Sequence, residues 1–308
     1  DAFYRGEVAQ QVCDWLQARG GTLSCEDLAA YKVEDRTPGR LDYRGHTVVT
    51  NPPPSSGGTL IAASLLGLSQ SSDVDALALV RASEAANRAR DDGFSQHLHD
   101  ADFFETFLAG LGRGGGAGGP GETDVVGSTT HISVLDANGM AVSCTCSNGS
   151  GSGVAVPGTG VILNNMLGET DLNPLGVGRT RPSARITSMM APTIVLRDGN
   201  PQLVLGSAGS NRIRSAILQV IAHVVDHGMS VEEAVNAPRV HFEDGVVQAE
   251  PGIGEEQLAA LEAAGLPIVH WAKQNLFFGG CQAVGRSTST STFEGAGDPR
   301  RGGVAILA

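Results

Sequence analysis

A glycine-rich run meets a strand pattern near the middle of this chain. Residues 112–121 are mostly glycine, a composition that favours a flexible connection rather than a packed element. Shortly after it, Ile132 and Val134 alternate with polar neighbours, which predicts a β-strand that begins at Thr129. Asn138-Gly139 then predicts a tight hairpin to a second strand. The fold must therefore place a loose segment directly before a buried strand.

Thr129 stands at this junction and carries a hydroxyl group. If the chain is cut before Thr129, the residue also gains a free α-amine, which titrates near ~7.7–8.0 and can act as a base at neutral pH. One residue would then supply both nucleophile and base, as in enzymes with an N-terminal threonine. The alternative is a threonine that simply starts an ordinary strand, and its position alone does not exclude this.

Composition and charge exclude several classes of partner. The 308-residue chain has a net charge of −12, which disfavours binding to nucleic acid or to an anionic membrane surface. No apolar run approaches the ~20 residues needed to span a bilayer. We therefore expect no nucleic-acid partner and no membrane partner.

Metal and cofactor binding are not expected either. The five cysteines, an odd number at irregular spacing, imply no disulfide framework. Cys144 and Cys146 could form half of a metal site, but no second Cys/His pair at ligand spacing supports one. The glycines of residues 112–121 do not form a phosphate loop, because no Lys-Ser/Thr follows them.

The chain begins at Asp1 and opens directly on a helical pattern, so we expect it to be part of a longer polypeptide. A cytoplasmic and an exported location both stay open.

Helical periodicity and turn signals predict alternating groups of helices and strands. They favour an α+β fold in which helices flank two groups of mostly antiparallel strands, a helix–sheet–sheet–helix sandwich. Helices are predicted at residues 4–19, 26–31, 59–68, 74–91, 102–111, 212–227, 231–236 and 255–264. Strands are predicted at residues 41–50, 130–136, 140–147, 192–197, 202–206, 267–270, 280–284 and 304–307.

Sequence tags along nearly the whole chain, taken in order, resemble the γ-glutamyltransferase family of N-terminal nucleophile hydrolases. Those before the glycine-rich run resemble the later part of the family's first subunit, and those after it resemble the second subunit. The first group is Phe3–Gly6, Glu26–Tyr31, Tyr43–Gly45 and Pro52–Gly58; the second is Thr129–His131, Leu163–Asn165, Ser188–Thr193, Gly206–Gly209 and Asp298–Arg300.

This resemblance implies a four-layer αββα sandwich and a precursor that cuts itself. The cut falls between Ser128 and Thr129, through attack of the Thr129 hydroxyl on the Ser128 carbonyl. Residues 1–128 would be the C-terminal part of the large-subunit segment, and residues 129–308 the small-subunit segment. Together they would form one domain, held after cleavage as a heterodimer of the two fragments.

The resemblance also implies roles around the nucleophile. Ser147 stands where the family usually has a threonine that binds the nucleophile's amine, and Asn148 resembles an asparagine that contacts the glutamyl group. Asn148 also opens a glycosylation sequon, which is the alternative reading of that residue. Glu169 stands where many members carry an aspartate that pairs with the substrate α-ammonium; the alternative is a solvated loop acid.

Two further segments match the family with substitutions. Ser188 matches the first of two serines that hold the substrate α-carboxylate, and Met189 replaces the second, leaving only its backbone N–H. Gly209 and Ser210 match the Gly-Gly loop that donates two backbone N–H groups to the oxyanion. His131 has no role in this mechanism and is expected to pack.

The expected function is hydrolysis or transfer of a γ-glutamyl group from glutathione or a related compound, with water, an amino acid or a peptide as acceptor. Nothing in residues 1–128 matches the family's arginine that grips the substrate α-carboxylate. Related acylases that act on β-lactam side chains or poly-γ-glutamate therefore stay open, as does a non-catalytic remnant. The short stretch of residues 172–181 predicts an open site without a large lid, which favours hydrolysis or larger acceptors.

Overall fold

The computed structural model describes residues 1–111, 129–173, 176, 178–179, 181–287, 290 and 292–308. Its α-helices are α1 (Glu7–Gln17), α2 (Cys25–Ala30), α3 (Ser56–Leu68), α4 (Ala76–Arg88), α5 (Asp92–His97), α6 (Phe103–Gly110), α7 (Arg212–Val225), α8 (Val231–Asn236) and α9 (Glu255–Ala263). Its strands are β1 (Gly39–Tyr43), β2 (His46–Thr50), β3 (Thr130–Leu135), β4 (Ala141–Cys146), β5 (Thr193–Arg197), β6 (Asn200–Ala208), β7 (Val240–Glu243), β8 (Val246–Ala249), β9 (Ile268–His270), β10 (Gly280–Arg286) and β11 (Phe293–Ala296).

The largest sheet is antiparallel and has the strand order β1-β2-β5-β6-β10-β11. Strands β1 and β2 precede the glycine-rich run, and the other four follow it. The two parts of the chain therefore share one sheet, and neither could bury its strands without the other. A smaller sheet of β7, β8 and β9 lies beside this core.

Helices α3 and α7 cover one face of the large sheet. Nearly every residue of α3 is buried, and Ser55 caps the helix by accepting a hydrogen bond from the Gly58 amide at 3.5 Å. Helix α7 is also largely buried and contributes Ile213, Ile217 and Ile221 to the main hydrophobic core. None of the helices in the described part of the chain is long and apolar enough to cross a membrane.

The β3–β4 hairpin packs on the other face of the large sheet through polar side chains. His131 lies within hydrogen-bond distance of Thr145 Oγ1 (2.7 Å) and Ser133 Oγ (3.0 Å). Ser133 donates to the Gln282 carbonyl at 3.1 Å, and Ser143 donates to the Leu205 carbonyl at 2.8 Å. The Ser133 and Ser143 bonds join the hairpin to the large sheet, whereas the His131 bonds stay within the hairpin. We call the four residues His131, Ser133, Ser143 and Thr145 the polar seam.

The opposite face of the hairpin is apolar and faces solvent. Ile132, Val134 and Val142 are 57%, 48% and 45% exposed. The described residues therefore form an α+β sandwich with three layers: helices, the large sheet and the hairpin. These layers confirm the predicted α+β sandwich.

A buried ion network fixes the C-terminal segment against the start of β10. Asp298 pairs with Arg239 at 2.7 Å and with Arg300 at 3.2 Å, and it accepts the Cys281 amide at 2.8 Å. Arg300 also pairs with Glu250 at 2.5 Å. All four charged side chains are almost fully buried, so each charge is stabilised only by its partners.

Most of the predicted helices and strands are confirmed. Among them, α8 begins with a capping box formed by Ser230 and Glu233. Two strand predictions are wrong. Residues 41–50 form a hairpin rather than one strand, because Arg44 and Gly45 take positive φ angles of 52° and 77°. Residues 304–307 form no strand and are largely exposed; the partner of β10 is β11 instead.

Four helices and strands were not predicted. They are α5, which follows α4 after a short break, the hairpin of β7 and β8, and strand β11. The turn of that hairpin, Asp244-Gly245, is a standard hairpin signal. The glycine-rich run lies outside the described residues, so its predicted flexibility stays a prediction.

Gly206 of β6 is required by the close approach of the hairpin. A Cβ atom at this position would lie 2.2 Å from His131 Cε1, and the ring is held at both nitrogens by the polar seam. We expect Gly206→Ala to lower the free energy of unfolding by about 1–3 kcal/mol, the usual cost of overpacking. Urea denaturation measures this change.

Gly110→Ala is the matched control, because a Cβ there meets no atom within 4 Å. It should leave the protein equally stable or slightly more stable, since alanine favours helices. Equal stability of wild type and Gly206→Ala would contradict the close packing of the hairpin on the sheet.

Candidate active site

Thr129 and Ser147 face each other at the open end of the β3–β4 hairpin. In the register of this hairpin Thr130 pairs with Cys146 and His131 with Thr145. The next step outward sets Thr129 opposite Ser147, on the same face as the polar seam. Their hydroxyl oxygens lie 2.9 Å apart, within hydrogen-bond distance. The predicted nucleophile and its predicted partner are therefore in contact.

The open end of the hairpin points toward the C-terminal end of β6. At the turn end, Arg286 donates to the carbonyl groups of Asp136 and Ala137 at 3.3 and 3.4 Å. Arg286 ends β10, whose first residue Gly280 pairs with Ala208, the last residue of β6. The turn of the hairpin thus lies at the opposite end of the sheet from Ala208. Thr129 is directed toward the loop that follows β6.

That loop is Gly209-Ser210, the predicted oxyanion loop, and it leads directly into α7. Gly209 has φ +130°, and a Cβ atom on it would lie 2.8 Å from Gly279 Cα, so the position requires glycine. Ser210 has φ +52°, an uncommon conformation for a residue with a side chain. The Gly209 and Ser210 carbonyls accept the amides of Arg212 and Ile213, so the loop runs directly into the first turn of α7.

Glu169 lies against the segment that follows Ser147. Its carboxylate accepts the Ser150 amide at 3.0 Å, and the Asn165 side chain accepts the same amide at 2.8 Å. Ser147 in turn accepts the Gly149 amide at 3.0 Å. Burial raises the pKa of Glu169, and the nearby charge of Asp171 raises it further, against the hydrogen bond from Ser150. A neighbouring cation would favour the ionised form of this carboxyl.

Asp171 connects this segment to the loop after β6. The Ser210 hydroxyl donates to the Asp171 carboxylate at 2.9 Å. The Arg90 guanidinium donates to the Asp171 carbonyl at 2.7 Å. Sequence reasoning missed Asp171 and Arg90, since nothing in a chain pattern indicates that α4 and a loop some 80 residues later meet. Thr129, Ser147, Glu169, Asp171 and Ser210 therefore form one connected group.

The predicted carboxylate-binding segment lies beside α3. The Ser188 carbonyl accepts the Gly57 amide at 3.2 Å, and Ser188 Oγ accepts the Met190 amide at 3.0 Å. The Met189 side chain is buried in the main core, where its sulfur lies 3.6 Å from Ser56 Oγ. Any contact of Met189 with a ligand is thus left to its backbone.

The structure describes Asn148 but not Ser128. The Asn148 side chain is exposed at the end of the hairpin, and Ser128 lies outside the described residues. Residues 174, 175, 177 and 180 also lie outside them, so the open, lid-free site stays a prediction. Within the described residues no group of three or more His, Cys, Asp or Glu side chains could hold a metal ion.

His131 packs in the polar seam, as expected, and its burial lowers its pKa to about 4. The imidazole is therefore neutral near pH 7, with its two nitrogens facing Thr145 and Ser133. Its position between the hairpin and the large sheet agrees with the expectation that this histidine packs.

Comparisons with a family model, with curated proteins and with solved structures each found similar proteins. The family model described as Gamma-glutamyltranspeptidase matches residues 1–113 and 114–308. The glutathione hydrolase proenzyme of Escherichia coli K12 is 34% identical over 87% of this chain and 53% of its own length. The acylase ACY 1 proenzyme of Pseudomonas sp. SE83 is also 34% identical, over 87% of this chain and 52% of its own length.

Among solved structures, the cephalosporin acylase from Bacillus halodurans has a TM-score of 0.78 and 26% identity. The match covers 100% of this chain and 60% of that protein. The chain spans about half the length of the curated relatives described above.

The low pKa of His131 makes the stability of the hairpin depend on pH. Below about pH 6.5 the unfolded chain takes up a proton on this histidine while the folded protein resists it, so stability falls as the pH drops toward 4. We expect His131→Gln to weaken this acid sensitivity by up to about 3 kcal/mol between pH 6.5 and 4. Urea unfolding at a series of pH values measures it.

Other acidic and histidine groups titrate equally in both proteins, so the difference between the two pH curves isolates His131. Parallel curves for wild type and variant would contradict a neutral, buried imidazole in the polar seam.

Proposed function

Since this chain belongs to the gamma-glutamyltranspeptidase family, we propose that it carries the nucleophile of a self-processing γ-glutamyl amide hydrolase or transferase. The donor is glutathione or a related γ-glutamyl compound, and the acceptor is water, an amino acid or a peptide. The observation that carries the proposal is the 2.9 Å contact between the Thr129 and Ser147 hydroxyls at the open end of the hairpin. No metal or cofactor takes part.

The chemistry begins with removal of the segment before Thr129. The Thr129 hydroxyl attacks the Ser128 carbonyl, the acyl group shifts from nitrogen to oxygen, and water cleaves the ester. Thr129 then begins a new chain and its α-amine is free to act as base. Residues 1–128 and 129–308 stay together because they share the six-stranded sheet.

In the mature enzyme Thr129 attacks the γ-amide carbonyl of the donor. Ser147 orients the nucleophile by hydrogen bonding. The negative charge that develops on the carbonyl oxygen is stabilised by the backbone N–H groups of Gly209 and Ser210, and removal of one such donor in other enzymes costs about 2.7–4 kcal/mol. The leaving amine takes a proton from the Thr129 ammonium, and water or an amine then releases the glutamyl group.

The donor's charged groups have matching partners on both sides of the nucleophile. The Glu169 carboxylate pairs with the α-ammonium, a charge-assisted contact that is roughly twice as strong as a neutral hydrogen bond. Burial raises the pKa of Glu169, and a bound α-ammonium would oppose that shift by favouring the ionised carboxyl. Asn148 contacts the glutamyl group, and Ser188 with the Met189 N–H binds the α-carboxylate.

A related acylase activity is the second candidate. An acylase proenzyme is as similar to this chain as a glutathione hydrolase proenzyme, at 34% identity. Met189 favours this candidate, since it removes one hydroxyl group from the predicted carboxylate-binding pair. An acylase would accept a donor that lacks the α-ammonium group.

The nucleophile is tested by self-cleavage. We expect the wild-type protein, incubated at neutral pH, to give two pieces that end at Ser128 and begin at Thr129. Thr129→Ala should stay intact and inactive, because no hydroxyl remains to attack. Intact-mass spectrometry and N-terminal sequencing identify the pieces.

Thr130→Ala is the matched control, since the neighbouring hydroxyl should be dispensable for the cut. Cleavage that persists in Thr129→Ala would reject the nucleophile. An intact wild-type protein that turns over no amide would instead indicate a non-catalytic remnant.

The acyl group is tested by comparing γ-glutamyl and glutaryl anilides, which both carry the terminal carboxylate and differ only in the α-ammonium group. We expect the γ-glutamyl compound to be preferred, and Glu169→Gln to raise its KM by about 10–100-fold, the loss of a charged hydrogen bond. Steady-state kinetics measure both, with the exposed Glu262→Gln as control. Preference for the glutaryl compound would favour the acylase.

A further inference from the structure

Ser210 has two features that must be explained together. Its backbone lies in the left-handed region, with φ +52°, which residues with side chains seldom adopt unless the surroundings hold them there. Its hydroxyl donates to the Asp171 carboxylate at 2.9 Å. Ser210 is thus the loop residue with the uncommon backbone conformation, and its own side chain bonds to Asp171. We call this hydrogen bond the tether.

Asp171 is itself held from two sides. Arg90 of the α4 C-terminal region donates to the Asp171 carbonyl at 2.7 Å, and Thr187 donates to the next carbonyl, that of Leu172, at 2.7 Å. Asn173 donates to the Glu169 carbonyl at 2.8 Å and closes the turn around Asp171. The carboxylate therefore projects from a turn that is fixed at several points.

Two partly buried arginines, Arg90 and Arg214, interact with the charge of Asp171. Burial lowers the pKa of Arg90, while the negative charge of Asp171 opposes this change. Burial lowers the pKa of Arg214, in the first turn of α7, to about 10; the charge of Arg90 adds to the effect, and Glu243 and Asp171 oppose it. Asp171 thus contributes negative charge beside two partly buried arginines as well as accepting the Ser210 hydroxyl.

We propose that Asp171 is a positioning residue that holds Ser210 in its left-handed conformation, so that the loop's backbone N–H groups stay aimed at the developing oxyanion. This inference rests on the proposed function, because it assigns Asp171 to the same catalytic step. Asp171 does not touch the substrate; it acts through Ser210.

Asp171 also affects Glu169, and this gives a second signature. The charge of Asp171 raises the pKa of Glu169, so removal of that charge lowers the pKa. Asp171→Asn keeps an oxygen that can accept the Ser210 hydroxyl but removes the charge. Asp171→Ala removes both.

The test measures kcat and KM on a γ-glutamyl anilide for Asp171→Ala, Ser210→Ala and the double variant. We expect each to lower kcat about tenfold, a fraction of the 10²–10³-fold cost of losing a whole oxyanion donor, with KM within about twofold. The double variant should be no slower than either single one, because both remove the same bond. Ser210→Gly should exceed Ser210→Ala in kcat, because glycine takes the left-handed backbone without a tether.

The pH dependence separates the two roles of Asp171. The acid limb of kcat/KM should move to lower pH in Asp171→Asn and Asp171→Ala, and stay in place in Ser210→Ala. Asp171→Asn should lower kcat less than Asp171→Ala. If Asp171 only stabilised the fold, the acid limb of kcat/KM would not shift in the Asp171 variants alone.

Asp226→Ala is the matched control. Asp226 follows α7 at its other end and also accepts a hydroxyl, that of Tyr43 at 2.6 Å, and pairs with Arg44 at 3.1 Å. Its loss should lower stability without changing kcat, so a general loss of folding is distinguished from a loss of positioning.

Hydrogen exchange gives a readout that does not need turnover. The amides of Arg212 and Ile213 bond to the Gly209 and Ser210 carbonyls, and they should exchange faster in Asp171→Ala and Ser210→Ala than in Asp226→Ala. If wild type itself has no turnover, the proposed function fails while exchange still judges the tether. The inference is overturned if Asp171→Ala leaves both exchange and kcat within twofold of wild type, or if the two single effects multiply to about a hundredfold.

Discussion

The polar seam between the β3–β4 hairpin and the large sheet is the contact on which the site depends. A two-stranded sheet has little stability in water by itself, so the position of Thr129 is set by what holds the hairpin. Ser133 and Ser143 fix it to β10 and β6 at 3.1 and 2.8 Å, and Gly206 lets the His131 ring, which bonds within the hairpin, approach the sheet. Hydrogen bonds are directional, which suits the placing of a nucleophile better than apolar packing alone.

The Gly209-Ser210 loop, toward which Thr129 is directed, is held by contacts other than the polar seam. The ion network of Arg239, Asp298, Arg300 and Glu250 holds the start of β10, and Arg239 donates to the Phe278 carbonyl at 3.2 Å. The next residue, Gly279, packs against Gly209. The polar seam thus holds the hairpin, and the ion network supports the loop. The segment of Glu169 and Asp171 bonds to both of them.

Much of this arrangement could be predicted from local patterns. The Asn138-Gly139 turn and the alternation after Thr129 predict the hairpin. Its observed register, in which Asp136 bonds to Met140 across a three-residue loop, sets Ser147 opposite Thr129. Asp171 and Arg90 could not be predicted, because their contacts join elements far apart in the chain and follow no spacing. The strand expected at residues 304–307 failed for a related reason: apolar composition does not supply a partner strand, and β10 already pairs with β6 and β11.

The central claim is that Thr129 forms a covalent ester with the glutamyl group, and the direct measurement is the intact mass of the protein quenched during turnover of a γ-glutamyl anilide. We predict the added mass of one glutamyl group on the fragment that begins at Thr129, at the hydroxyl of its first residue by peptide mapping, and no such adduct in Thr129→Ala. An adduct on another residue, or turnover without any adduct on this fragment under conditions where deacylation is slow, would contradict it.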